Sequence, residues 1–199
     1  MARRTQAERS AGTQDLLLQA TVDCLVDRGF DGTSTTEICR RAGVSRGAQL
    51  HHYPTKAELL IASVEYLCDQ RHAEFRAMVQ AETSKTDRVD AAFEQLWNIA
   101  SSPTLVAWVE LGVAARTDPQ MNAEMRRLSE RLEDEVEDTL RTFFGVETAS
   151  PMRATVRMIL SMLDGLAFRT MLQDEEAAKR ALDVFRLLVT PWLSKDTSR

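Results

Sequence analysis

The chain has 199 residues, 44% hydrophobic and 28% charged, with a formal net charge of −5. That is enough apolar material for one packed domain or two small ones, which excludes a disordered polymer. Three cysteines (Cys24, Cys39, Cys68) make an odd count without a Cys-x-x-Cys pair, which excludes a disulfide scaffold and implies reduced, buried thiols in a cytoplasmic protein.

The first predicted element is a helix from Gln6 to Arg28, with Leu17, Thr21, Cys24 and Leu25 on one side, ending near Gly29. Ser34-Thr35-Thr36-Glu37 has the form of a capping box: the Ser34 hydroxyl accepts from the Glu37 N–H, and the carboxylate reaches back. Ile38 and Ala42 are four apart and share a face. Gly43 tolerates the positive φ that ends the helix, and Val44 plugs the angle that follows. Ser45 is a second N-cap, starting a helix at Arg46 that Pro54 closes, and Thr55-Lys56-Ala57-Glu58 is a second capping box. Two short helices joined by a tight turn, with a third starting at once, form a helix-turn-helix, which lays one helix in the major groove of duplex DNA.

The helix within Ser45–Tyr53 is the candidate reader. Its first turn holds Ser45, Arg46 and Gly47, and N-terminal residues of such a helix meet base edges. Arg46 can hydrogen-bond guanine twice or bind phosphate, and Gln49 can read adenine or touch phosphate. Gly47 is a poor helix former, which suggests close approach of another backbone. Leu50 is placed inward, on Ile38 and Phe30. His51, His52 and Tyr53 fall near the sugar-phosphate wall, and Lys56, at a helix N-terminus, makes an anion site. Thr33, Ser34 and Thr35, at the start of the preceding helix, complete the candidate DNA-contacting set. Residues 1–56 hold eight Lys/Arg against six Asp/Glu, and residues 57–199 seventeen against twenty-four, so the basic excess sits in the reading segment. Affinity then rests on a modest number of phosphate contacts and is salt-sensitive.

Gly29-Phe30, Thr33-Ser34, Ile38, Ala42-Gly43-Val44-Ser45, Gly47-Ala48, Tyr53 and Lys56 occur in register, and this block resembles the DNA-binding domain of the TetR (tetracycline-repressor-like) family of transcriptional regulators. The match covers roughly residues 12–60. The family usually carries Tyr at the position of Leu50, often touching phosphate, and favours Ala at the position of Cys39. His51 or Tyr53 would take over the phosphate contact here. The resemblance implies a homodimer, and a small-molecule pocket among the middle and C-terminal helices.

The remainder also reads as helix: Thr55 to about Ala81, Ser84–Ser101, the apolar Pro103–Arg116, Pro119–Phe144, Pro151–Gln173 and Glu175–Ser194. The acidic run Glu130–Asp138 reads as a solvated face. Pro151–Gln173 is apolar almost all round and needs two partners, so it and the last helix, with Ala178, Leu182, Phe185, Leu188 and Val189, are expected to pair with their symmetry mates in a four-helix dimer interface. The expected fold is all-α, about nine helices: a helix-turn-helix domain over 1–56, joined by a long helix to an effector-binding and dimerisation domain over 57–199.

Trp97, Trp108, Glu110, Met121, Met125, Phe143, Met158 and Met162 are candidate contacts for a small apolar or amphipathic effector, because methionine adapts to irregular shapes. The competing reading is plain core, with Glu110 and Asp164 in ion pairs to Arg116, Arg157 or Arg169. His51, His52 and His72 lack ligand spacing, so neither metal nor cofactor is expected. No nucleophile–base pair or phosphate loop is visible, so an enzyme is not expected. No signal peptide or transmembrane run appears. The function expected is a dimeric regulator on a palindromic operator of double-stranded DNA, a repressor released by its effector. The alternative is a DNA-binding activator or partner-controlled regulator without one.

Overall fold

The computed structural model describes residues 6–82, 84–144, 152–172 and 174–193. Among these its regular elements are all helices: α1 (Gln6–Gly32), α2 (Thr35–Ala42), α3 (Arg46–His52), α4 (Lys56–Ala81), α5 (Lys85–Ala100), α6 (Pro103–Ala115), α7 (Pro119–Phe144), α8 (Met152–Met171) and α9 (Glu175–Leu193). The expected helix ends at Pro151, Gln173 and Ser194 lie outside the described residues. The chain divides into two compact units, Met1–Leu67 with Val106–Met125, and Cys68–Leu105 with Arg126–Arg199.

In the first unit α1, α2 and α3 pack around Leu17, Leu18, Ala20, Cys24, Ile38, Ala42 and Leu59, with Val44, Tyr53, Ala62 and Tyr66 at the edge. Fully burying a side chain such as Ile38 is worth about 1.5–3 kcal/mol. An exposed ion pair is worth about 0–1 kcal/mol. Apolar packing therefore sets the angle of the short helices. The helical path of α1 breaks at Gly29, whose φ of 67° and ψ of −177° lie outside the range of a residue with a side chain. The break frees backbone groups around Phe30, and two side chains take them. Glu110 Oε2 on α6 accepts from the Phe30 N–H at 2.9 Å. Lys56 Nζ donates to the Phe30 carbonyl at 3.2 Å and lies 4.6 Å from the centroid of its ring. Glu110 was expected to face an arginine or a ligand; its observed partner is a backbone amide. Of the three arginines named as partners, Arg157 pairs with Glu133 at 3.0 Å and Arg169 with Asp174 at 3.6 Å.

In the second unit α5, α8 and α9 pack together, with Phe93 and Phe185 edge to face at 6.0 Å between centroids. The acidic run on α7 is not merely solvated. Glu133 is buried between Arg153, at 2.8 Å, and Arg157. Asp134 also meets Arg153, and Asp138 meets Arg76 at 2.8 Å. Arg131 bonds Asp69 at 2.7 Å, and the His72 ring lies between Glu135 (3.1 Å) and Thr139 (3.0 Å). The acidic residues thus face basic residues on α4 and α8, where a one-helix reading saw only water. Met152, Val156, Ile159, Leu163, Leu166 and Ala167 form the buried side of α8. Met158, Phe168 and Met171 on α8 and Val184, Leu187 and Leu188 on α9 are exposed, the last two at 74% and 73%.

Candidate nucleic-acid interface

The helix-turn-helix is built by its caps. Ser34 Oγ accepts from the Glu37 N–H at 3.2 Å and starts α2. Gly43, with φ 64°, ends α2, and Val44 N–H returns to the Cys39 carbonyl at 3.1 Å. Ser45 Oγ accepts from the Ala48 N–H at 3.2 Å and starts α3, and the Tyr53 N–H closes it on the Gln49 carbonyl at 2.8 Å. The Thr55–Glu58 box has both limbs: Thr55 N–H to the Glu58 carboxylate at 3.3 Å, and Glu58 N–H to Thr55 Oγ1 at 3.1 Å.

The Ser34–Glu37 box has only its forward limb. The Glu37 carboxylate turns instead to Arg28 (3.2 Å), Arg40 (2.8 Å) and Arg41 (3.0 Å), and Arg41 continues to Asp27 at 2.6 Å. The hydrogen bonds from Arg40 and Arg41 hold the Glu37 carboxyl at about 2, below its ordinary 4.5; Glu37 in turn raises the Arg40 guanidinium above its usual range, and Asp27 first and Glu37 second raise that of Arg41. This cluster ties the end of α1 to α2 and draws three arginines into internal pairing.

On α3 the structure reverses one assignment made from sequence. Gln49 is fully buried; its Nε2 donates to the Tyr53 carbonyl at 2.5 Å, and its Oε1 has no hydrogen-bond partner among the described residues. Leu50, expected inside, is 45% exposed. Gln49 and Tyr53 are four apart and share a face, and Tyr53 packs on the core, so Gln49 is carried inward and Leu50, one residue on, is carried out. Thr33 is also buried, its hydroxyl donating to the Gly29 carbonyl at 2.7 Å, so its side chain caps the α1 corner and is not on the exposed surface where a DNA contact was expected. Lys56 is engaged at the same corner.

The outward face holds Ser34, Ser45, Arg46, Gly47, Leu50 and His51, with Thr35, His52 and Tyr53 half-buried. Arg46 Nη1 donates to Thr35 Oγ1 at 2.7 Å, so the candidate base reader leans on the preceding helix. His51 and His52 stack edge-on at 5.3 Å. Cys24 and Cys39 are buried free thiols, and burial pushes both thiols up, away from the reactive thiolate. No group of three or more His, Cys, Asp or Glu suited to a metal ion occurs among the described residues.

The eight candidate effector contacts divide between the units. Trp108, Glu110, Met121 and Met125 lie in the first; Trp97, Phe143, Met158 and Met162 lie in the second. Met121 and Met125 are buried core, and Met158 is exposed on α8, which does not suit it to line a cavity in its own unit. A cleft of about 320 Å³ in the first unit is lined by Arg28, Gly29, Phe30, Asp31, Glu110, Val113 and Ala114, and includes only Glu110 of the eight. No helix among the described residues is long and apolar enough to cross a membrane.

Comparison with known proteins extends the local geometry to the whole chain. Residues 17–63 match the family described as bacterial regulatory proteins, tetR family, and residues 85–190 match the BetI-type transcriptional repressor C-terminal domain. The HTH-type transcriptional regulator CymR of Pseudomonas putida is 33% identical over 184 residues, 89% of each chain. A transcriptional regulator from Rhodococcus sp. Rha1 superposes with a TM-score of 0.68 at 25% identity, covering 88% of this chain and 95% of that one. FadR of Bacillus subtilis, solved in complex with stearoyl-CoA, shares the fold with a TM-score of 0.66 at 13% identity, over 85% of this chain and 96% of that one. The capped α2–α3 pair falls inside the first matched segment, and more than half of the chain falls inside the second. The chain therefore belongs to the TetR family of transcriptional regulators, and α2–α3 is its DNA-binding helix-turn-helix.

Proposed function

We propose that the protein is a homodimeric repressor that holds a palindromic operator and leaves it when a small apolar or amphipathic molecule binds. The observation that carries the DNA half is the outward face of α3: a doubly capped helix presenting Ser45, Arg46, Gly47 and His51 to solvent while its inner side is fixed to the core. Such a helix enters the major groove as a preformed rod, with Arg46 on a base edge or phosphate and Ser34, Thr35, His51, His52 and Tyr53 along the backbone.

Dimerisation is supported by the apolar residues that α8 and α9 leave exposed, including Phe168, Leu187 and Leu188. Two-fold pairing of these faces would present two α3 helices about 34–36 Å apart, or a multiple of that, to two half-sites. A domain division near residue 56, with DNA reading before it and effector binding and dimerisation after it, is part of the same proposal. Repression and effector release are supported by the repressor-type match of residues 85–190 and by a fold neighbour crystallised with an acyl-CoA. Release would pass through the Phe30 peptide, gripped by Glu110 of α6 and Lys56 of α4, immediately before α2 begins. Moving either helix would disturb the seat of the reading pair, and a coupling of about 1–3 kcal/mol changes affinity roughly 5–150-fold.

The test begins with selection of duplexes from a random pool, followed by anisotropy titration against competitor DNA and sedimentation of the free protein. A dimer that enriches an inverted repeat, and drops it when some compound of a small-molecule library is added, is the expected result. A monomer, or a protein that enriches no sequence, would end the proposal.

A further inference from the structure

We infer that Leu50 is a specificity-determining residue that reads the C5-methyl group of a thymine in the major groove. The inference rests on the reading of α3 as the helix that enters the groove. Leu50 is 45% exposed, and no other large apolar side chain of α2 or α3 is exposed. Within the reading pair its exposed neighbours are polar or glycine, which does not suit α2–α3 to docking another protein through a continuous apolar patch of its own.

Its neighbours on the helix define what it can meet. Arg46 lies four residues before it and Gly47 three before, so all three share the outward face. Gly47 contributes no side chain, and a Cβ built there would find only Ser45 Oγ, at 4.0 Å. The surface beside Leu50 is thus bare on its N-terminal side, and Arg46 supplies the nearby charge. In the major groove thymine is the one base that offers an apolar group, its C5 methyl, while cytosine offers only a donor there. An aliphatic side chain held out on the reading helix discriminates between these two pyrimidines through the methyl itself, whereas the guanidinium of Arg46 can select only through hydrogen bonds to acceptors such as those of guanine.

The experiment uses the full-length protein and a duplex enriched from the random pool. Each thymine is replaced in turn by deoxyuridine, which removes only the methyl, and then by 5-bromodeoxyuridine, which restores its bulk. Wild-type protein should lose about fourfold in affinity at one thymine per half-site, the worth of one buried methyl, and regain it with bromine. Leu50→Ala, a substitution at an exposed position, should keep the melting temperature, bind more weakly and be indifferent to the same change. Wild-type indifference to every deoxyuridine, or a Leu50→Ala protein as sensitive as wild type, would overturn the assignment while leaving DNA binding intact. Failure to enrich any duplex would instead remove the DNA-binding reading on which the assignment stands.

Discussion

A methyl group added at Gly47 meets almost nothing in the free protein, the nearest atom being Ser45 Oγ at 4.0 Å. Gly47 is the second residue of α3, with no positive φ to protect. Alanine should therefore stabilise the fold, by about 0.5 kcal/mol, the low end of the Gly-to-Ala range because the site is near a helix end. For a chain of this size that is a rise of roughly 1–2 °C in melting temperature. On DNA the sign reverses if glycine is there to let the α3 backbone approach the duplex. A methyl forced into a close-packed contact costs about 1–3 kcal/mol, which is roughly 5–150-fold in affinity. Thermal melting by circular dichroism and anisotropy titration on the selected duplex, at one fixed salt concentration, measure the two effects separately. A Gly47→Ala protein that melts higher and binds as tightly as wild type would refute the close approach. One that melts lower would refute the open space.

Glu37 gives a pH signature. Its folded carboxyl sits at about 2 against an ordinary 4.5, so its contribution is fully present above 4.5 and is lost as pH falls toward 2. The melting-temperature gap between wild type and Glu37→Gln should be constant above pH 5 and close on acidification, and a gap that does not narrow would show that the arginine cluster does not hold the carboxylate. Glu110→Ala strands the Phe30 N–H and should cost about 1–2 kcal/mol, whereas Glu110→Gln keeps an acceptor and should cost less than half of that, both read by denaturant melts. Leu188→Arg should yield a helical monomer in sedimentation with reduced operator affinity; an unchanged dimer would move the interface elsewhere. Gln49→Leu removes a buried, unpartnered amide oxygen but also the donor to the Tyr53 carbonyl, so the two effects should offset to within about 1 kcal/mol of stability and leave DNA affinity within about twofold. A large loss confined to particular bases would return Gln49 to the reading face.

What could be read before folding follows the range of the interactions. Ser34, Gly43, Ser45 and the Thr55–Glu58 pair act within four residues, so the three helix starts and the tight turn were visible as written, and the observed caps match them. The partners of Glu110, Glu133 and Glu37 come from other helices, and nothing local names them. For Glu110 the missing clue was Gly29. A glycine that breaks a helix with positive φ frees amides, and a carboxylate can take one of them as readily as it takes an arginine.

The error on α3 has a different cause, and it bears on how the helix reads DNA. Hydropathy alone assigns Leu50 to the core and Gln49 to the surface. The helix is only seven residues long, so its phase is fixed by its ends, by Val44 and Tyr53 packing against the core. Those two anchors place position 49 inward whatever residue occupies it, and the chain accepts a buried glutamine whose amide closes on the Tyr53 carbonyl. The same constraint turns Leu50 outward. A hydrophobic residue held outside by the geometry of its neighbours, and not by its own preference, keeps its unsatisfied apolar surface for whatever the helix docks against. The departure from simple amphipathicity therefore lies on the surface we propose for the operator, where a sequence can depart from its folding pattern and gain selectivity.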